Sequence, residues 1–581
     1  MDKDIHTIME LVGNKHKYTI FVVIMNLILW MNVSVFNYSL AFIETKPQVS
    51  YIKGNENFKE KLTYDICDSY DFNITKKYDY SIITDFEDGT ECHKLKTSLI
   101  GTINSIGILL GNFLFHIIAG KFGYNNILFY FHISHAVFVL ISIFYVNYYY
   151  FQVLNCLVMF LTKCILNSSL VMNNEIVDLK YKALISSFVN SGLGLGGMFY
   201  VLMYYALKDW KYVFIVGAGI SFICGIIIKI FFHDSLTQSL INKNYDRFYE
   251  DLVYISNKNG RKKEFEEGIN ENEEYKKCLN RLKDYTIPEN KEEIKNNNNN
   301  EQKYDEKNSS ETLQIKNNKE KYKFQNPDNN PKTDDKFETE KEQNNIKKNT
   351  LEENEKTTNN KNDSKRQIKG SLLQIFKYSS VRYTLIILSV GWFCNSTLFY
   401  GLVIGIKTLK GSQYRNTAIL YLCDFFAYNI SGLFSDSKLG RKLSLQIFTF
   451  AYGIFCLIMF LVFDKNKNVV VGFYFCARLS MICAFCVYYS YAFESYPISV
   501  ATFGYSFNAT CSALAGVVVP FIIEYINEKY VFLIYAIEGI FCTLLFFFLK
   551  ETRGKEREDN IKEIEEQLKK EDQKVNVSKD N

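Results

Sequence analysis

Apolar runs long enough to cross a membrane as helices recur along the whole chain, separated by short polar turns. Twelve stand out, at roughly 18–43, 97–120, 126–147, 149–173, 183–207, 211–232, 380–405, 415–435, 443–463, 468–493, 499–525 and 529–549. Near-uncharged runs of 18 or more residues match the ~30 Å of hydrocarbon that a helix must span. The first run is too long for a signal-peptide core and has no small-residue cleavage site after it, so it reads as a retained span. The pattern predicts an all-α membrane protein with twelve transmembrane helices in two six-helix halves. The first half covers 1–239, with a large loop at 44–96, and the second covers 380–554.

Between the halves, residues 240–379 have the opposite composition. Lys, Glu, Asp and Asn dominate, Asn296 to Asn300 form an unbroken run, and few residues are able to build a core. Such a segment reads as a disordered cytoplasmic insert, tolerated rather than regulatory. Its early part, Tyr245 to Tyr275, reads as a polar helix. The tail 555–581 is charged, and Lys555 to Lys570 has the pattern of a solvated helix.

Charge and chemistry narrow the function classes. The 67 basic and 63 acidic residues leave a net charge of +4, and no interleaved basic and aromatic surface points to a nucleic-acid partner. The partners expected are membrane lipid and a small solute. No phosphate-binding loop, GxSxG or metal-binding helix is present, so no residue set supports ATP-driven pumping or hydrolysis, and no cofactor is implied. Most of the 14 cysteines lie in apolar runs, where a thiol packs as a small hydrophobe. Cys483 and Cys486 form a CxxC inside such a run and read as core packing rather than a redox or metal site.

The halves carry matching features. Gly120-Lys121-Phe122-Gly123-Tyr124-Asn125 follows the second span, and Asp436-Ser437-Lys438-Leu439-Gly440-Arg441-Lys442 follows the eighth. From Gly123 to Glu175 is 52 residues, and from Gly440 to Glu494 is 54. Paired turns and paired carboxylates at matching offsets predict parallel repeats about an axis along the membrane normal.

Orientation follows from consistency. With both termini cytoplasmic, the 44–96 loop is outside, where its sequon Asn73-Ile74-Thr75 is a glycosylation acceptor and Cys67 and Cys92 are free to pair. Lys121, Lys438, Arg441 and Lys442 then face the cytoplasm, as the positive-inside rule prefers.

Local sequences go further. Trp392-Phe393 followed by Phe399-Tyr400-Gly401-Leu402, Phe493-Glu494-Ser495-Tyr496-Pro497 with Gly504, Gly516 and Pro520 after it, and Glu551-Thr552-Arg553-Gly554 together resemble the organic ion transporter family of the major facilitator superfamily. In the first half, Glu175, Asp209-Trp210-Lys211 and His233-Asp234-Ser235 sit where that family has its Glu, Asp-Trp-Arg and Glu-Ser-Pro elements. The resemblance implies the major facilitator fold, a plasma-membrane carrier, and a conformational role for Lys121, Gly123, Glu175, Asp436, Gly440, Arg441, Glu494 and Pro497. In carriers of this kind the turn's Asp and Arg tie helix ends together in the outward-facing state. Here Gly120 stands where an Asp is usual, and Tyr124 and Asn125 replace basic residues, so the first-half latch is expected to be weak. Ala501 replaces an Arg, so the ion pair of Glu494 is expected to be missing.

Charges inside spans are costly and mark cavities or partners. Lys163, Asp424 and Arg478 are the candidates here, and each falls at a family position counted from its local motif. The structural alternative for Lys163 and Arg478 is snorkelling or pairing that holds helices together. Trp392, Phe399, Tyr400, Tyr488 and Tyr491 offer rings for cation–π contacts of roughly 0.5 to 2 kcal/mol each, although a chain that is 16% aromatic places many rings in spans by packing alone. In the resembling family an eleventh-span Asp or Arg separates cation from anion carriers. Ala513 occupies that place, and Asp424 with Lys163 resembles the cation branch. Glu538 and Glu524 are candidates to carry a coupling proton, and His116 reads as a packing histidine. The leading expectation is a carrier of small organic ions, cation or zwitterion, coupled to a proton or counter-ion. The alternatives are a sugar or polyol carrier and a non-transporting receptor or scaffold.

Overall fold

A computed structural model describes every residue except 1, 14–15, 44–47, 54–55, 62–72, 78–81, 87–92, 145–146, 178–181, 287–378, 436, 497–500 and 553–581. The chain divides into two compact units, residues 1–282 with 372–581, and residues 283–371. Of the second, only 283–286 is described, as the end of a helix. Apart from that helix end, everything below concerns the first.

The described residues are nearly all helical. In chain order the helices are α1 Asp2–Val12, α2 Lys17–Asn37, α3 Leu40–Ile43, α4 Ile82–Asp85, α5 Lys94–Phe122, α6 Tyr124–Phe144, α7 Tyr148–Ile176, α8 Lys182–Asn190, α9 Gly192–Leu207 and α10 Trp210–Phe231. They continue as α11 Leu236–Ile241, α12 Tyr245–Lys258, α13 Lys262–Glu271, α14 Glu273–Thr286, α15 Ser379–Ile404, α16 Gln413–Ser435, α17 Gly440–Val462, α18 Lys467–Glu494, α19 Ala501–Tyr525 and α20 Glu528–Leu545. Among the described residues, twelve stretches are long and apolar enough to span a membrane, six before residue 287 and six after residue 378. They are α2, α5, α6, α7, α8 with α9, and α10 in the first half, then α15 to α20 in the second. Within the 44–96 loop, β1 Gln48–Lys53 pairs antiparallel with both β2 Glu56–Lys61 and β3 Asn73–Lys77, a small sheet that the helical reading did not anticipate.

The turns repeat between the halves. At the end carrying the 44–96 loop, here the loop end, four short turns each close on a side chain that caps the next helix. Asn147, Asp209, Asn466 and Asn527 accept from the backbone amides of Tyr149, Lys211, Asn468 and Lys529. These caps satisfy amides that no carbonyl of the helix reaches. At the opposite, insert end, Gly123 at φ +76° and Gly440 at φ +77° turn the chain into α6 and α17, a left-handed conformation that glycine adopts without strain.

Close approach between the halves depends on small residues. A Cβ on Gly194 would lie 2.5 Å from the Phe425 amide nitrogen, and one on Gly197 would lie 2.5 Å from Tyr421, so glycines let α9 pack directly on α16. Toward the loop end, Gln413 Nε2 donates to the Ala41 carbonyl at 2.6 Å, and Phe42 lies 5.3 Å from Tyr414 between ring centroids. Ser98 and Thr102 of α5 donate to the carbonyls of Pro520 and Val517 on α19 at 3.4 and 3.0 Å.

The reading of 240–379 is revised at its start. Residues 236–286 form four helices, and three of them are amphipathic rather than merely polar. Phe248, Leu252 and Ile255 follow helical spacing and pack with Phe265, Leu279, Ile5, Ile8 and Met9, in a cluster continuous with Val22 and Met25 of α2. Asn259 ties the layer to the spans, accepting from the Tyr18 amide at 2.9 Å and donating to the Gly13 carbonyl at 2.9 Å. Arg281 holds Asp4 through two bonds of 2.5 and 3.3 Å. The tail helix expected at Lys555 to Lys570 lies outside the described residues.

Candidate functional site

Asp424 lies eleven residues into α16 and Arg478 eleven into α18, and both helices start at the loop end. At 1.5 Å per residue the two charges reach the same depth, about 16 Å in. They meet there. Arg478 Nε donates to Asp424 Oδ1 and Nη2 to Oδ2, both at 2.7 Å, and both side chains are 0% exposed. Two parallel charge-assisted bonds fix the guanidinium in the carboxylate plane. The remaining groups close around the pair. Arg478 Nη1 donates to the Phe399 carbonyl at 2.8 Å, and its guanidinium carbon lies 4.6 Å from the Phe399 ring centroid. Tyr38, at the end of α2 in the other half, donates to Asp424 Oδ2 at 3.3 Å and stacks on Tyr421 at 4.4 Å. Tyr421 in turn donates to the Tyr38 carbonyl at 3.3 Å.

Aromatic residues continue from this pair toward the insert end. Phe399 stacks on Phe485 at 5.3 Å and meets Tyr400 edge-on at 5.2 Å. Trp392, 1% exposed, stacks on Tyr488 at 5.9 Å and meets Tyr489 and Tyr505 at 5.2 and 5.7 Å. Its indole N–H has no hydrogen-bond partner among the described residues. Tyr491 belongs elsewhere, since its hydroxyl bonds the Lys550 carbonyl at the insert end.

Lys163 sits midway along α7, half-buried, and forms no ion pair among the described residues. Its Cβ packs where a side chain on Gly111 of α5 would otherwise be, so glycine there gives the lysine room. Glu538 of α20 accepts from the Thr397 hydroxyl on α15. Glu524 is tied differently. Lys407 bonds it at 2.6 Å, with side chains only 10% and 7% exposed, so Glu524 is half of an ion pair rather than a free proton carrier. The side chains of His116 and Lys121 lie outside the described residues, as do Cys67, Cys92, Asp436 and Pro497. Asn73 begins β3, and its side chain is not described.

A family model described as Major Facilitator Superfamily matches residues 22–520. The chain belongs to this superfamily. A solute carrier family 22 member 15-like protein of Xenopus laevis is 29% identical over 202 residues, 34% of this chain and 41% of that protein. Solute carrier family 22 member 13 of Homo sapiens is 26% identical over 204 residues, 34% of this chain and 36% of that protein. The matched region therefore spans less than half of these relatives. Among solved structures, the proton:xylose symporter XylE bound to 6-bromo-6-deoxy-D-glucose superposes with a TM-score of 0.56 at 13% identity, covering 94% of this chain and 99% of that one. XylE from E. coli in a partially occluded inward open conformation gives 0.55 at 9% identity over 92% and 99%. At these identities the likeness establishes the major facilitator fold.

Within that fold the two repeats build related junctions at the insert end. In the second half, Arg441 pairs with Glu494, the Thr552 hydroxyl donates to Glu494 at 3.1 Å, and Glu551 accepts from the Arg441 and Lys442 amides at 3.0 Å each. The expectation that Glu494 lacks an ion pair is thus corrected, because Arg441 supplies the charge despite Ala501. In the first half, Glu175 accepts from the Ser235 hydroxyl at 2.6 Å and the Leu236 amide at 3.0 Å. Ser235 stands 60 residues after Glu175 and Thr552 stands 58 after Glu494, so the same carboxylate-to-hydroxyl contact recurs. Where the second half has Arg441 after its turn glycine, the first has Tyr124, and Arg247 of α12 pairs instead with Asp234 next to Ser235.

Sequence reasoning missed Tyr38, Tyr421 and Thr397. They are uncharged, and in a chain with 41 tyrosines nothing local marks two of them. Ser235 and Glu551 lay within quoted motifs, and the matched offsets between the halves pointed to their partners.

Proposed function

We propose that this superfamily member is a secondary carrier of small organic ions, with cations or zwitterions favoured, that works by alternating access around Asp424 and Arg478. The supporting observation is the pair itself. Two charges placed fully out of solvent at mid-membrane depth are costly, and such residues in spans mark substrate or ion pathways. Their retention is explained if a charged substrate group exchanges with one partner.

The exchange is asymmetric. When an ammonium takes Asp424, Arg478 keeps the Phe399 carbonyl and the Phe399 ring. When a carboxylate takes Arg478, Asp424 keeps only the weaker bond from Tyr38. A cation therefore leaves less charge unsatisfied, and a zwitterion engages both partners. Tyr38 comes from the first half, so occupancy of Asp424 is felt across the interface that rocking of the halves must open. Lys163 is assigned the role of a second charged contact, and Glu538 that of a proton carrier through Thr397.

In the same reading the loop end faces outward and the insert end the cytoplasm, at the plasma membrane. Asn73 is then glycosylated, Cys67 and Cys92 pair, and residues 287–378 lie in a cytoplasmic insert. The test is uptake by reconstituted protein of labelled organic cations, anions, zwitterions and hexoses, with and without a proton gradient. Selective uptake of cations or zwitterions is expected. Hexose uptake would replace this reading with a sugar carrier, and no uptake by folded protein would favour a receptor.

A further inference from the structure

At the loop end of the second half, α15, α18, α19 and α20 enclose a small, partly open cleft. None of its walls comes from the first half. It lies one turn from the central pair, since Tyr474 precedes Arg478 by four residues on α18, but its lining includes four residues of α20 and not Tyr38, Asp424 or Arg478. We infer that this cleft is a second binding site, separate from the Asp424–Arg478 site, and that it takes a protonated amine.

The charge comes from Glu528, which lines the cleft at the start of α20. The Thr408 hydroxyl bonds its carboxylate and Lys467 acts on it from farther away, and among the described residues it forms no ion pair. The second observation is Tyr535. Its ring lines the cleft, its side chain is 1% exposed, and its hydroxyl has no hydrogen-bond partner among the described residues. A buried hydroxyl without a partner is uncommon in a settled structure. The neighbouring Tyr474 differs, because its hydroxyl is already spent on the Leu402 carbonyl at 2.5 Å.

These groups select one chemistry. A carboxylate excludes anions and attracts a cation, and the faces of Tyr474, Phe532 and Tyr535 favour a positive charge that has shed water. The Tyr535 hydroxyl, which can both donate and accept, is able to take a bond from an N–H. A primary or secondary ammonium supplies both the charge and the N–H, whereas a quaternary ammonium has no proton to give. Gly405 keeps the floor open. A Cβ there would lie 3.4 Å from the Tyr474 hydroxyl and 3.8 Å from Ile523, so alanine fits without collision but occupies the space. The amine has two sources, a free organic amine or the ethanolamine headgroup of a lipid at the membrane boundary.

The test is equilibrium binding of labelled ethanolamine to the full chain in phosphatidylcholine nanodiscs. Saturable binding is expected, weakened about tenfold by Glu528→Gln as expected for loss of a charge-assisted contact, several-fold by Tyr535→Phe, and lost in Gly405→Ala. Tetramethylammonium should compete poorly. Binding should persist in the Asp424→Asn, Arg478→Met double variant. Adding phosphatidylethanolamine to the discs suppresses the signal if the lipid is the occupant and leaves it unchanged if the free amine is, and the site stands in either case. The inference is overturned if folded wild type shows no saturable binding, if Glu528→Gln and Gly405→Ala both bind normally, or if the central double variant abolishes binding. Should Glu528→Gln fail to fold, Gly405→Ala decides alone.

Discussion

Arg478 and Asp424 share two parallel 2.7 Å bonds with neither side chain exposed to solvent, at the point where Tyr38 of the first half bonds Asp424 of the second. Breaking one side of such a pair leaves the other charge buried without a counter-ion, at a cost of about 3 to 5 kcal/mol. Asp424→Asn alone should therefore lower the amount of folded protein sharply. Asp424→Asn combined with Arg478→Met removes both charges and should restore it. Monodisperse yield and thermal unfolding of the three proteins measure this, and a double variant no more stable than the single one would contradict it.

Lys163 has no ion-pair partner among the described residues, so its removal should cost little stability. Lys163→Gln is expected to reach wild-type abundance while its initial uptake rate falls several-fold. Wild-type uptake per folded molecule would remove Lys163 from the substrate pathway.

Asp251 of α12 predicts a pH effect outside the membrane. Burial, followed by the adjacent Asp234 charge, pushes its carboxyl up to about 7, with Glu250 adding to the rise and Arg247 opposing it. One of its oxygens is buried without a hydrogen bond among the described residues. With the folded-state value above the unfolded one, the folded form binds the proton more tightly. The contribution is complete below the ordinary carboxylate range and is lost as pH rises toward 7. Thermal stability, or hydrogen-exchange protection of residues 245–258, should fall from pH 5.5 to pH 8, and Asp251→Asn should flatten that part of the profile. An unchanged slope in the variant would assign the pH dependence to other groups.

Deletions should separate two parts of the insert. Removing residues 290–370 is expected to leave transport largely intact. Removing 245–286 takes away Phe248, Leu252, Ile255 and Phe265 from the cluster beneath the first half, and should reduce folded protein. Loss of activity with normal abundance in the first deletion would show that the insert regulates.

The fold was legible because membrane helices are marked by length and apolarity alone, and each span from α2 to α20 lies within a few residues of its apolar run. The turns were legible through Gly123 and Gly440, whose matched positions exposed the repeat. Helices α12 to α14 were harder to read, since Phe248, Leu252 and Ile255 are few among many charges and gain their meaning only when α1 covers them. For the site, span charges identified Asp424 and Arg478 but not that they pair. That follows from equal depth on two neighbouring helices, which span boundaries of two to four residues' uncertainty do not fix. Glu524 shows the same limit, because its partner Lys407 lies in the turn after another span.

The central claim is that Asp424 and Arg478 serve transport and not merely the fold. The most direct test is the initial rate of organic-cation and zwitterion uptake by the Asp424→Asn, Arg478→Met double variant, reconstituted and normalised to folded protein. The account predicts a loss of at least about tenfold, as removal of a charge-assisted contact implies, with unfolding temperature preserved. Uptake at the wild-type rate per folded molecule would contradict it and reduce the pair to a structural clamp between α16 and α18.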